Sequence, residues 1–142
     1  MKKKSDAQIF LKQPEKLDAI INNKLIEKKQ WQDLALGITA NMGGERVQSS
    51  GAKSRMADAV ERCIDVEAEI DNLVDTLVAA KQNVIETIEQ LDSPMEYKLL
   101  HDRYIKFMSL QEIADKYNKE YSWATTTHGR AIKNVEAILD SK

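Results

Sequence analysis

A run of apolar residues spaced by seven is the feature that most constrains the fold. It consists of Met56, Cys63, Ile70, Leu77, Val84 and Leu91. Its companion apolar positions are Val60, Val66, Leu73, Val74, Ala80 and Ile88. A repeat of five heptads is typical of a coiled-coil seam, along which the helix pairs with another helix. It predicts a helix over residues 55–91, about 55 Å long at 1.5 Å per residue.

The preceding segment predicts a first helix that covers part of this seam. We expect it to begin at Pro14, since the first helical position tolerates a missing N–H, and we expect residues 1–13 to be a flexible tail. Its apolar stripe is Leu17, Ile20, Ile21, Leu25, Trp31, Leu34 and Ile38. Lys24 and Lys28 interrupt the stripe. Because this helix is the shorter one, part of the seam is left for a second copy of the chain, which predicts a homodimer through the long helix.

Residues 40–55 join the two predicted helices and lack periodicity. Glycine is concentrated there, which predicts a mobile loop between the arms of a helical hairpin over residues 14–92. The simplest interpretation of this loop is a connector. Its basic residues Arg46, Lys53 and Arg55 could alternatively contact phosphates.

Composition excludes several classes of protein. With only 5 Gly and 2 Pro in 142 residues, few tight turns are available, so an all-β fold is not expected and an all-α fold is. No apolar run approaches 18 residues, so we expect no membrane span. One cysteine and two distant histidines exclude a disulfide within the chain and the common zinc spacings. We therefore expect no cofactor, no metal and a cytoplasmic location. Cys63 lies on the seam and is interpreted as a packed thiol rather than a nucleophile.

The C-terminal residues 93–142 are expected to form a separate compact domain. Six of the eight aromatic residues follow residue 96, and aromatic side chains supply much of a small core. Capping boxes beginning at Ser93 and Ser109 predict helices from Pro94 to about Phe107 and from Leu110 to Tyr117. A turn at 118–120 and a last helix over 121–139 follow.

A short helix, a tight turn and a second helix are the components of a helix-turn-helix. Ala114 and Ala124 are small where the two helices would touch, and Asn118 tolerates the positive φ that the turn needs. The predicted inward stripe of the last helix is Ala124, His128, Ala131, Val135 and Ile138.

The C-terminal sequence resembles a known family at this point. Glu112-Ile113-Ala114 and Arg130-Ala131, with 17 residues from alanine to alanine, resemble region four of the bacterial sigma factors. The Gly44–Gly51 loop sequence and the string His128–Ala131 are similar to those of small phage and prophage proteins of Gram-positive bacteria, the ArpU- and RinA-type late-gene regulators. The resemblance implies a sigma region-four-like helix-turn-helix, a host bacterial cytoplasm, and promoter DNA and RNA polymerase as partners.

The outward face of the last helix predicts which residues touch DNA. The candidates are Tyr121, Ser122, Thr125, Thr126, Gly129, Arg130 and Lys133. Ser and Thr hydroxyls can contact base edges or phosphates, and Arg130 and Lys133 are the expected phosphate contacts. His128 is interpreted as a packed histidine rather than a ligand. Trp123 is either a core residue or a base-stacking residue.

These observations favour a DNA-binding transcriptional regulator. The alternative is a module that binds RNA polymerase without binding DNA itself. Residues 93–142 carry a net charge of only +1, and Glu120 stands where the family has Ser or Thr. An enzyme is not expected, because no phosphate-binding glycine motif and no nucleophile beside a base is present.

Overall fold

In a computed structural model, residues 5–44 and 50–141 are described, and every regular element in them is an α-helix. The helices are α1 (Asp6–Gly44), α2 (Ser50–Ile88), α3 (Pro94–Tyr104), α4 (Leu110–Lys116) and α5 (Tyr121–Asp140). The prediction of an all-α fold is thus confirmed for these residues. None of these helices is apolar enough over a sufficient length to cross a bilayer.

The chain divides into two compact units whose limits fall inside α1 and α2. The terminal unit consists of the chain up to Leu17 and from Thr76 onward, and the hairpin unit is Asp18–Asp75. The sequence suggested limits at 13/14 and 92/93 instead. The difference arises because the N-terminal end of α1 and the C-terminal end of α2 contribute side chains to the core of the terminal unit, including Leu11 of α1 and Val84 of α2.

The first helix begins at Asp6, so the prediction of a flexible tail up to residue 13 was wrong for residues 5–13. Ser5 caps α1, since its Oγ accepts from the Gln8 N–H at 3.2 Å. Pro14 lies inside the helix and is fully buried. A proline inside a helix costs about 3 kcal/mol. Burial of Ala7 and Leu11 offsets that cost.

In the hairpin unit, the two helices run antiparallel and pair through charged side chains beside the apolar seam. Lys24 Nζ lies 2.6 Å from Glu69, and Arg62 lies 3.1 Å from Glu27 while its guanidinium stacks over Trp31. Lys24, which interrupts the apolar stripe of α1, is therefore a partner of α2. Both helices have 39 residues, so the prediction of a shorter first helix was wrong.

The segment predicted to be a loop is mostly helical. Helix α1 continues to Gly44 and α2 begins at Ser50, so residues 40–44 and 50–55 belong to helices. Residues 45–49, including Arg46, lie outside the described residues.

Helices α3, α4 and α5 pack on one another in the terminal unit. Helix α4 has the complete predicted capping box, with Ser109 and Glu112 each accepting from the other's backbone N–H. At the start of α3 only half of the box forms: Ser93 accepts from the Glu96 N–H, but the Glu96 carboxylate accepts from Asn134 of α5 at 2.7 Å instead. Helix α3 ends at Tyr104, before the predicted Phe107, which has a φ of 59° in the following turn.

Candidate nucleic-acid interface

The turn between α4 and α5 fixes the relative placement of these two helices. Asn118 has a φ of 57°, as its position in the turn predicts. The Lys119 N–H donates to the Ala114 carbonyl at 2.8 Å, which closes the end of α4. Ala114 and Ala124 are both fully buried. Because α4 and α5 pack on each other and each has a small buried side chain, their backbones can approach closely, and the exposed side of α5 is presented at a defined angle to α4.

A buried carboxylate ties α4 to α3. Asp102 of α3 accepts two hydrogen bonds from Lys116 Nζ at 2.9 Å and one from the Tyr117 hydroxyl at 2.8 Å. Burial alone would raise the pKa of Asp102, but the hydrogen bonds from Lys116 and Tyr117 outweigh it and hold the pKa below its usual value. Asp102 therefore stays ionised and holds the C-terminal end of α4 against α3.

A histidine ties α5 to α3 in the same way. His128 Nε2 lies 2.6 Å from the Tyr104 hydroxyl, and the two rings stack with centroids 5.7 Å apart. Burial is the largest cause that lowers the pKa of His128, and the nearby charges of Arg103 and Lys12 act in the same direction. The neutral, stacked imidazole agrees with the interpretation of His128 as a packing residue.

Trp123 supports the first turn of α5 from within. Its indole meets the Tyr117 ring edge to face, with centroids 6.0 Å apart, and it packs against the core cluster of the terminal unit. The side chain is half-buried. These contacts account for its position without a stacked base.

The buried face of α5 is wider than the sequence predicted. Its buried residues are Ala124, Thr127, Ala131, Ile132 and Val135. Thr127 and Ile132 were missed, while His128 and Ile138 are half-buried rather than buried. The extra burial arises because α5 packs against both α3 and α4.

The residues expected to face DNA are exposed together on the opposite side of α5. These are Tyr121, Ser122, Thr125, Thr126, Gly129, Arg130 and Lys133, which we call the α5 face. The Thr125 hydroxyl already donates to the Ser122 carbonyl at 3.0 Å, so its free lone pairs can still accept. The open space around Gly129 would accommodate a side chain, so glycine is not required there by packing.

A shallow depression of about 460 Å³ lies beside the first turns of α5. Its lining includes Lys119, Glu120, Trp123, Thr126 and Arg130. Lys119 was missed by sequence reasoning, although its place in the turn just before the last helix was a usable signal. The depression therefore has two cations, Lys119 and Arg130, and one anion, Glu120.

Glu120 is the N-cap of α5 and makes no side-chain capping hydrogen bond. A carboxylate at a helix N-terminus is stabilised by the helix dipole, yet it repels a phosphate at the same place. An anion near this end of α5 would therefore be attracted by Lys119, Arg130 and Lys133 rather than by the backbone at the start of the helix.

Two of the candidate phosphate contacts from the predicted loop lie among the described residues. Lys53 and Arg55 are exposed on α2 within the hairpin unit, whereas the α5 face belongs to the terminal unit. In the two described stretches, no group of His, Cys, Asp and Glu side chains is suited to hold a metal ion.

No protein-family model matches the chain, and no curated protein or solved structure matches it. The likeness to sigma region four therefore depends on the residues themselves.

Proposed function

We propose that the protein is a DNA-binding transcriptional regulator that uses α4 and α5 as a helix-turn-helix, with the α5 face in the major groove. In keeping with the sequence resemblance, we propose a phage or prophage regulator of the late-gene activator type. A helix with side chains is 10–12 Å across, which fits a major groove about 12 Å wide.

The α4–turn–α5 geometry is the observation that carries the proposal. Asn118 has a positive φ, Ala114 and Ala124 are buried, and the α5 face carries hydroxyl-bearing and basic side chains beside Gly129. Hydroxyl groups and two cations on one side of a helix are suited to DNA, because they supply base-edge and phosphate contacts together. Three helices hold this arrangement rigidly through Asp102 and His128.

A binding titration on DNA fragments from the gene's own neighbourhood tests the proposal. We expect one fragment to bind specifically and more weakly as salt rises, since phosphate contacts release counterions. Arg130→Ala and Lys133→Ala should each reduce the salt slope by about 1. The matched control is Lys98→Ala, an exposed lysine of α3 outside the α5 face. Absence of any specific fragment, or a slope that Lys98→Ala changes equally, would contradict the proposal.

A second candidate function is an RNA-polymerase-binding module without DNA binding. Glu120, the N-cap residue whose side chain makes no capping hydrogen bond, favours the polymerase-binding module, because this carboxylate lies where a phosphate would approach. Co-purification of polymerase with a chain that binds no DNA fragment would support this candidate. Glu120→Ser distinguishes the two, since it should strengthen DNA binding in the first case and not create it in the second.

A further inference from the structure

Among the residues whose burial the structure describes, the hairpin unit exposes more large aliphatic side chains than it buries. Its buried hydrophobic residues are Ile21, Ala59, Val66 and Ile70. Its exposed large aliphatic residues are Leu25, Ile26, Leu34, Leu36, Val60, Ile64 and Val74. Two helices alone have no interior, because each has only one neighbour. This unit therefore lacks the second layer that would cover its apolar side chains.

Most of these side chains share one open face, which borders the buried seam residues Val66 and Ile70 and includes the exposed seam positions Val60 and Val74. A groove of about 550 Å³ runs between the helices there and is lined by Leu36, Val60, Cys63 and Ile64, with Lys29 and Asp33 at its rim. Leu36 is 68% exposed and Ile64 is 61% exposed, so both protrude beside the groove. The same face thus carries an apolar groove and, beside it, protruding side chains that could fill the groove of a second copy.

The α1 side of this face carries a cation and an anion, because Lys29 Nζ lies 2.7 Å from Asp33 on the same helix, and the α2 side is acidic. On α2, Glu67 lies three residues after Ile64, and Asp71 lies three residues before Val74. The Lys28–Glu67 ion pair, at 3.9 Å, places Lys29 and Glu67 at neighbouring heights along the hairpin.

We propose that a second copy of this chain covers the face and forms an antiparallel four-helix bundle. The two-fold axis runs along the helices, so that α1 of each copy lies on α2 of the other. This places Lys29 of one copy beside Glu67 of its partner and brings Leu36 to the apolar groove. Every helix then has antiparallel neighbours, which is the favourable arrangement of helix dipoles.

The size of the face indicates a small, reversible interface. From Val60 to Val74 α2 rises roughly 21 Å, and two helices side by side are roughly 20 Å wide. A face on the order of 400 Å² in projection belongs to the small class of specific interfaces. We therefore expect a reversible dimer with a dissociation constant in the micromolar range.

Sedimentation velocity of the full chain over a range of micromolar concentrations tests this inference without DNA. The wild type should pass from monomer to dimer, while Ile64→Lys should weaken dimerisation about tenfold or more, because it buries a charge in the interface. The matched control is Leu34→Lys. Leu34 is 49% exposed but lies two residues from Leu36, about 200° around α1, so dimerisation should be unchanged.

A charge exchange tests the placement of α1 on α2. Lys29→Glu and Glu67→Lys should each weaken the homodimer, and the double variant should restore it. A wild type that stays monomeric at every concentration overturns the inference. Dimerisation that Ile64→Lys leaves intact overturns the choice of face. A double variant as weak as the single variants overturns the pairing. Circular dichroism verifies that each variant keeps the helix content of the wild type.

Discussion

At the scale of single residues, the buried histidine makes the stability of the terminal unit depend on pH. The pKa of His128 is below the usual 6.5 in the folded chain because the ring is buried against Tyr104. The unfolded chain therefore binds the proton more tightly. The contribution of the neutral ring is fully present above pH 6.5 and is lost as pH falls from 6.5 through the lower folded pKa.

We predict that His128→Gln flattens the pH dependence of the free energy of unfolding in this window. The slope contributed by one group is at most about 1.4 kcal/mol per pH unit. Burial also lowers the pKa of His101. The variant should therefore keep a smaller pH dependence of the same sign, which comes from His101. Urea titrations at several pH values between about 7.5 and 5 measure it. An unchanged slope in His128→Gln would show that other groups cause the dependence.

Asn118 supplies a second prediction at this scale. Its φ of 57° is a left-handed conformation, which a β-branched side chain resists by about 1–2 kcal/mol. Asn118 is exposed, so the substitution changes little packing. We expect Asn118→Val to lose about that free energy of unfolding and Asn118→Gly to lose little or none. The control is Lys119→Val in the same turn, where φ is not positive. Equal losses at both positions would contradict the backbone explanation.

At the scale of elements, the C-terminal helices were predictable and the start of the first was not. The boundaries of α4 and α5 followed from Ser109, Glu112 and the turn residue Asn118, because local chemistry determines them. Pro14 suggested a helix start, but long-range packing of Leu11 extended the helix past it. A local signal was present: Ser5 with Gln8 three residues later has the spacing of a capping box.

Because α1 begins at Asp6, substitutions at buried positions in residues 6–13 should destabilise the fold, although the sequence predicted a tail there. Leu11 is fully buried, so Leu11→Ala should cost about 2–5 kcal/mol of unfolding free energy. Ile9, which lies on the same helix and is 53% exposed, is the matched control, and Ile9→Ala should stay within about 0.5 kcal/mol. Thermal or urea denaturation measures both. Two neutral substitutions would indicate that the segment does not pack.

At the scale of the whole molecule, the heptad repeat correctly indicated helix pairing but not the face left open. Ile70 and Val66 of the seam are buried, whereas Val60 and Val74 are exposed. A periodic pattern gives the angular position of a side chain on its helix, but not which neighbour covers that side. The exposed side of α5 was predictable from periodicity alone, because it is the side opposite the small inward residues Ala124 and Ala131. The contribution of Lys119 depends on the turn, where no periodicity applies.

The two proposals together make a prediction about affinity. A dimer carries two α5 faces, and the second contact becomes intramolecular once the first has formed, which raises affinity about 10²-fold or more where the DNA holds two sites at a compatible spacing. We therefore expect Ile64→Lys to bind such a fragment far more weakly than Leu34→Lys. On a fragment with a single site the two variants should bind equally, because the α5 face of each is unaltered. Fluorescence anisotropy at fixed salt measures all four affinities. Equal affinities on the two-site fragment would mean that each α5 face binds independently and that the bundle serves assembly rather than DNA recognition.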